Sequence, residues 1–123
     1  MENTFGAFIS SKRLKKQTSL RNFADAIGIS PVYASHIERN MRSAPSVSVL
    51  KRISNFLVLN SDEEEMMYDL AAKSKSQPSI AADLIEYINA YPTVTKVLRF
   101  AKRNNVVEKE WQIILKLLIE KNL

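Results

Sequence analysis

Few side chains in this 123-residue sequence could carry chemistry. There is one histidine, His36, and no cysteine. Nucleophilic catalysis needs a base beside an activated hydroxyl or thiol, and a metal centre needs several ligands at fixed spacing. One imidazole, with no thiolate, no HExxH spacing and no Gly-rich phosphate loop, supplies neither. The carboxylates Asp62, Glu63 and Glu65 have a structural account, because acidic residues belong at the positive end of a helix dipole. No catalytic residue, metal or cofactor is therefore expected. What remains is non-covalent recognition. Between Ser30 and Asn40, Ala34 and Ile37 are spaced i, i+3 and point inward, which leaves Val32, Tyr33, Ser35, His36 and Arg39 facing out. Such a face offers hydrogen bonds, apolar contact and charge, but no reaction.

The elements that must position this face are short helices. Ser19 starts one, with Phe23, Ala24 and Ile27 as its apolar stripe. Gly28 stands where that helix must stop and the backbone must reach positive φ. Ile29 is a buried turn residue, Ser30 caps the next helix and Pro31 occupies its first position, where a missing N–H does no harm. Asn40 falls at the C′ position. Two helices and a tight turn of this kind are the layout of a helix-turn-helix. Before it, Thr4 to about Lys16 forms a helix with Phe5, Phe8, Ile9 and Leu14 apolar and Lys12, Arg13, Lys15 and Lys16 as a basic end. After it comes a loop, Met41 to Ala44. Ser46 then caps a fourth helix, Val47 to Leu57, with Val49, Leu50, Ile53 and Leu57 inward and Lys51 and Arg52 outward. A fifth begins at Ser61, where Ser61 and Glu64 have capping-box spacing, and runs through Met66, Met67, Leu70 and Ala71 to Lys73. The stretch KSKSQPS, 73–79, is the linker candidate. Three helical patterns follow: Ile80 to Tyr91, Thr93 to Asn104 and Glu108 to Lys121. Two glycines and four prolines fit this all-α reading. It divides into a helix-turn-helix domain, 1–73, and a helical extension, 79–123.

The net charge of +5 is uneven. Residues 1–60 hold nine Lys and Arg against three acids, and residues 61–123 hold nine against ten. The excess therefore belongs to the half with the helix-turn-helix, which favours a polyanion as its partner. No apolar run is long enough to span a bilayer and the start has no signal-peptide core, so a cytoplasmic location is expected.

Ala24, Gly28, Ile29, Ser30, Ser35, Ile37 and Glu38, with Arg42 and Pro45 behind them, resemble the lambda-repressor-like (XRE) helix-turn-helix family. That resemblance implies a five-helix domain whose third helix, 30–40 here, lies in the major groove of double-stranded DNA. Phosphate contacts, which supply affinity without base information, are expected from Arg21, Arg42 and Ser46, with Tyr33 able to lend its hydroxyl. The resemblance implies base contacts from Pro31, Val32 and His36, with Ser35 close by and Arg39 reaching guanine or phosphate. Leu20 departs from the family, which usually has Gln there; Arg21 can take that role. The resemblance also implies an ion pair between Arg13 and Glu38. The segments DEEEMMYDLAA, DLIEYINAYPTVTKVLRFAKRNN and EKEW are similar to a subgroup of short XRE regulators of Gram-positive bacteria and their mobile elements, some encoded beside metallopeptidases.

The last helix is wider in its apolar face than one neighbour requires. Trp111, Ile114, Leu115 and Leu118 form a stripe that Ile113, Leu117 and Ile119 broaden. It serves core packing, a second subunit, or both. A single reading helix covers few base pairs, so the expected function is a transcriptional regulator, a repressor that binds an inverted-repeat operator as a homodimer. The alternative is a protein-binding adaptor, antitoxin or phage-encoded inhibitor, which Leu20 and the apolar Pro31–Val32 start favour.

Overall fold

The computed structural model describes residues 3–122, and among them every regular element is helical: α1 (Phe5–Lys15), α2 (Leu20–Ile27), α3 (Pro31–Glu38), α4 (Val47–Leu57), α5 (Ser61–Lys73), α6 (Ala82–Ala90), α7 (Pro92–Arg103) and α8 (Glu108–Lys121). The chain forms two compact units, one up to Ile85 and one from Glu86 onward.

Local chemistry sets where helices begin and end. Thr4, Ser19 and Ser30 each accept a hydrogen bond from the backbone N–H three residues on, at 3.1 Å in each case, which satisfies a donor that the helix leaves free. Five helices end on one residue in the left-handed region: Gln17 (φ 57°), Gly28 (76°), Asn40 (59°), Val58 (52°) and Asn105 (54°). At each, the next N–H reaches back to a carbonyl five residues earlier, as Met41 does to His36 (2.8 Å) and Leu59 to Ser54 (3.1 Å). This is the Schellman closure, for which glycine and asparagine are the ordinary choices. Val58 is not, since a β-branched side chain in this region is strained.

Two caps differ from the sequence expectation. The capping box of α5 is formed by Asn60 and Glu63, not Ser61 and Glu64. Asn60 Oδ1 accepts from Glu63 N–H at 2.9 Å and the Asn60 N–H donates to Glu63 Oε1 at 3.0 Å. Glu64 is engaged elsewhere, accepting from the buried Ser54 hydroxyl at 2.6 Å. Ser46 occupies the N-cap of α4 but makes no capping bond; its hydroxyl pairs with that of Ser48 at 3.1 Å.

The core of the first unit is built on Phe8, Ile9, Phe23, Ile27, Ile53 and Met67, all fully enclosed. Leu14, read as part of the apolar face of α1, is exposed. Residues after α5 also belong to this unit. Ser74 Oγ accepts from Ala44 N–H at 2.8 Å, Lys75 Nζ donates to the Ala44 carbonyl at 2.8 Å, and Ala81 is buried in the core cluster. In the second unit the rings of Tyr87 and Tyr91 lie 4.9 Å apart. Ala101 is the buried residue of α7, and α8 buries none.

Candidate nucleic-acid interface

Helix α3 is held from beneath and at its C-terminal end. Ala34 and Ile37 are buried. Arg13 grips Glu38 with two parallel hydrogen bonds, Nε to Oε2 at 2.7 Å and Nη2 to Oε1 at 3.0 Å, and its remaining nitrogen donates to the Thr18 carbonyl at 2.9 Å. Both side chains are largely shielded from solvent. The Glu38 carboxylate therefore holds the Arg13 guanidinium protonated even more firmly than usual, chiefly through those hydrogen bonds. At the other end of the pairing, Asn40 Oδ1 accepts from Gly6 N–H at 3.0 Å and its amide donates to Thr4 Oγ1 at 3.1 Å. Gly6 is required for this approach. A Cβ there would lie 2.6 Å from the Ile37 carbonyl oxygen and collide with that of Glu38 as well. The first turn of α1 is thus pressed against the last turn of α3.

This bracing leaves one side of α3 open. Val32 is 65% exposed. Arg39 is exposed, and Pro31, Ser35 and His36 are half-buried. Arg21 and Arg42 are exposed on the neighbouring helix and loop, as is Ser46. None of the three arginines takes part in an ion pair among the described residues. Leu20 is half-buried at the start of α2.

Tyr33 does not face out as expected. Its side chain packs on the core cluster, and the Arg42 guanidinium stands 5.7 Å from the centre of its ring, within cation–π range. The ring is a platform under Arg42. The loop that carries Arg42 is itself fixed: Pro45 is buried, and Ala44 is bonded at both its N–H and its carbonyl to the segment after α5. Arg52, read as an outward cation, instead donates to the Ile27 carbonyl at 3.0 Å and so closes the C-terminus of α2. Sequence reasoning also passed over Gly6, Ser74 and Lys75. Only Gly6 left a signal, as a lone glycine inside an apolar helical pattern.

Glu63 couples α5 to α1 through an ion pair with Lys12. Its carboxyl is held below the usual range, first by the Asn60 N–H and then by Lys12. Among the described residues no cluster of His, Cys, Asp or Glu is placed to hold a metal, and no helix is long and apolar enough to cross a membrane. On α8, Ile114, Leu115 and Leu118 are exposed and Trp111 is half-buried.

Residues 9–63 match the family described as helix-turn-helix. Over 69 residues the chain is 33% identical to the HTH-type transcriptional regulator SinR of Bacillus licheniformis, a stretch that covers 52% of this chain and 62% of that protein. The chain therefore spans less than two thirds of the length of this curated relative. Among solved structures, the SinR protein/SinI protein complex matches over 97% of this chain and 98% of the other, with a TM-score of 0.50 at 22% identity, a likeness of fold alone.

Proposed function

We propose, from the match of residues 9–63 to the helix-turn-helix family, that this chain is a sequence-specific transcriptional regulator of the XRE type that sets α3 into the major groove of double-stranded DNA. The observation that carries this reading is the asymmetry of α3. It is locked by Ala34, Ile37 and the Arg13–Glu38 pair on its inner side, while Val32, His36 and Arg39 lie toward solvent near Arg21 and Arg42, neither of them ion-paired among the described residues. In this reading Arg21, Arg42 and Ser46 hold phosphates, Val32 meets a thymine methyl, and Ser35 and His36 meet base edges. Pro31, without a backbone donor, fits the groove by shape. The protein acts in the cytoplasm as a homodimer repressor on an inverted repeat, paired through the exposed stripe of α8, with the unit that ends at Ile85 as the DNA-binding part and the helices from Glu86 onward as the dimerising extension.

Footprinting of the DNA upstream of its own gene, repeated at low and high salt, tests this. The expected result is protection of two half-sites about one helical turn apart, with affinity falling steeply as salt rises. Absence of binding at low salt overturns it.

A second reading, a regulator or adaptor that acts on a protein partner, is favoured by one feature: the large apolar side chains left exposed on α8. The fold relative bears the name of a complex between SinR protein and SinI protein, so a protein partner for this fold has a precedent. Pull-down of a stoichiometric partner together with failure to bind DNA at low salt supports this reading over the first.

A further inference from the structure

The near-neutral second half of the chain conceals two opposed blocks of charge. Its acids gather in α5, which contains Asp62, Glu63, Glu64, Glu65 and Asp69, whereas α7 contains Lys96, Arg99, Lys102 and Arg103 and no acid at all. All four cations are exposed, and none is ion-paired among the described residues.

Ordinary solvated helices mix signs at i, i+3 and i, i+4, because opposite charges at those spacings stabilise and like charges destabilise. Here every close pair is a like pair: Lys96 with Arg99, Arg99 with Lys102, and Arg99 with Arg103. The helix dipole accounts for Lys102 and Arg103 in the last turn, but its effect dies away within that turn and does not reach Lys96. The helix thus tolerates a repulsion that its own stability does not call for. Phe100, 61% exposed, and Val97 lie alongside, and an open depression of about 470 Å³ is bounded by Lys96, Arg99, Phe100 and Arg103.

We propose that α7 is a contact surface for the phosphate backbone of duplex DNA, additional to the face of α3. Lys96 to Arg103 covers about 10 Å of helix at 1.5 Å per residue, and duplex DNA presents a negative charge about every 1.7 Å along its axis. A strip of cations with no acceptor among them responds to charge density rather than to base identity, which is what a backbone offers. Repulsion within α7 falls when phosphates approach. The surface needs no operator, so its test is independent of whether α3 reads a sequence.

The full chain is compared with a Lys96→Gln/Arg99→Gln/Lys102→Gln/Arg103→Gln variant and with an Arg99→Lys/Arg103→Lys variant, on a random-sequence duplex over a salt series. Each phosphate contact contributes about 0.9 to the slope of log affinity against log salt. The glutamine variant is expected to lose at least two such contacts while melting at or above the temperature of the parent, and the lysine variant to keep the parent slope. An unchanged slope in the glutamine variant, as a solvated face or an acidic protein partner would give, overturns the proposal. So does a slope that falls only together with the melting temperature. If the fourfold variant does not fold, Arg99→Gln/Arg103→Gln is read by the same two outcomes.

Discussion

The proposed base readout can be tested first at His36. It is half-buried on α3, close enough to the scaffold to be oriented and open enough to reach a base edge. His36→Ala is expected to cost about 1–3 kcal/mol on operator DNA and almost nothing on random DNA; equal losses in the two titrations would contradict base readout. Tyr33 poses a different question. With its ring under Arg42, the aromatic face matters and the hydroxyl does not. Tyr33→Phe is therefore expected to leave binding and its salt slope unchanged, whereas Tyr33→Leu flattens the slope by about one phosphate equivalent, as Arg42→Ala does. A phenylalanine variant as weak as the leucine one would return the role to the hydroxyl. The sequence marked Tyr33 as a candidate contact. It could not show the ring turned onto the core, because that depends on where the loop after α3 comes to rest.

At the scale of elements, two backbone positions invite opposite outcomes. Gly6→Ala forces a Cβ against carbonyls of the last turn of α3, and rigid backbone cannot yield as a side chain does. Overpacking of this kind costs about 1–3 kcal/mol. Val58, 76% exposed at φ 52°, gains little from its side chain and is strained by it, so Val58→Gly is expected to raise stability by about 1 kcal/mol. Denaturant titration of both variants measures the pair. The Glu63 clamp between α5 and α1 adds a dependence on pH. Its folded pKa is lowered, so its stabilisation is complete above the ordinary glutamate value and is lost as pH falls through that value toward the lower folded one. Glu63→Gln should flatten the acid limb of a melting-temperature profile; an unchanged limb would mean that the clamp is inert.

For the whole molecule, the issue is where the DNA-binding part ends. The stretch 73–79 looks like a linker by composition, yet Ser74 and Lys75 fasten the loop beside α3, and Ala81 lies in the core. A truncation after Ile85 respects these contacts. It is expected to leave a folded monomer that binds the operator far more weakly than the full chain, since it lacks the apolar stripe of α8. Light scattering with a binding titration checks this. A monomeric truncation that keeps full affinity would remove dimerisation from the account.

Helix starts, helix stops and the all-α class were legible from residue order, because a cap or a left-handed stop is decided within about five residues of chain. Ser19, Gly28, Ser30, Pro31 and Asn40 all acted at the positions their chemistry assigns. The one-residue displacement of the α5 cap shows the limit of that logic, since Asn60 and Ser61 are both competent caps and Ser54 claims Glu64. Contacts between helices were another matter. That Arg52 closes α2, that Asn40 binds Gly6 and that Tyr33 carries Arg42 depends on distances between segments up to 34 residues apart. No local propensity encodes such distances; they follow from how Phe8, Phe23, Ile53 and Met67 fill one volume.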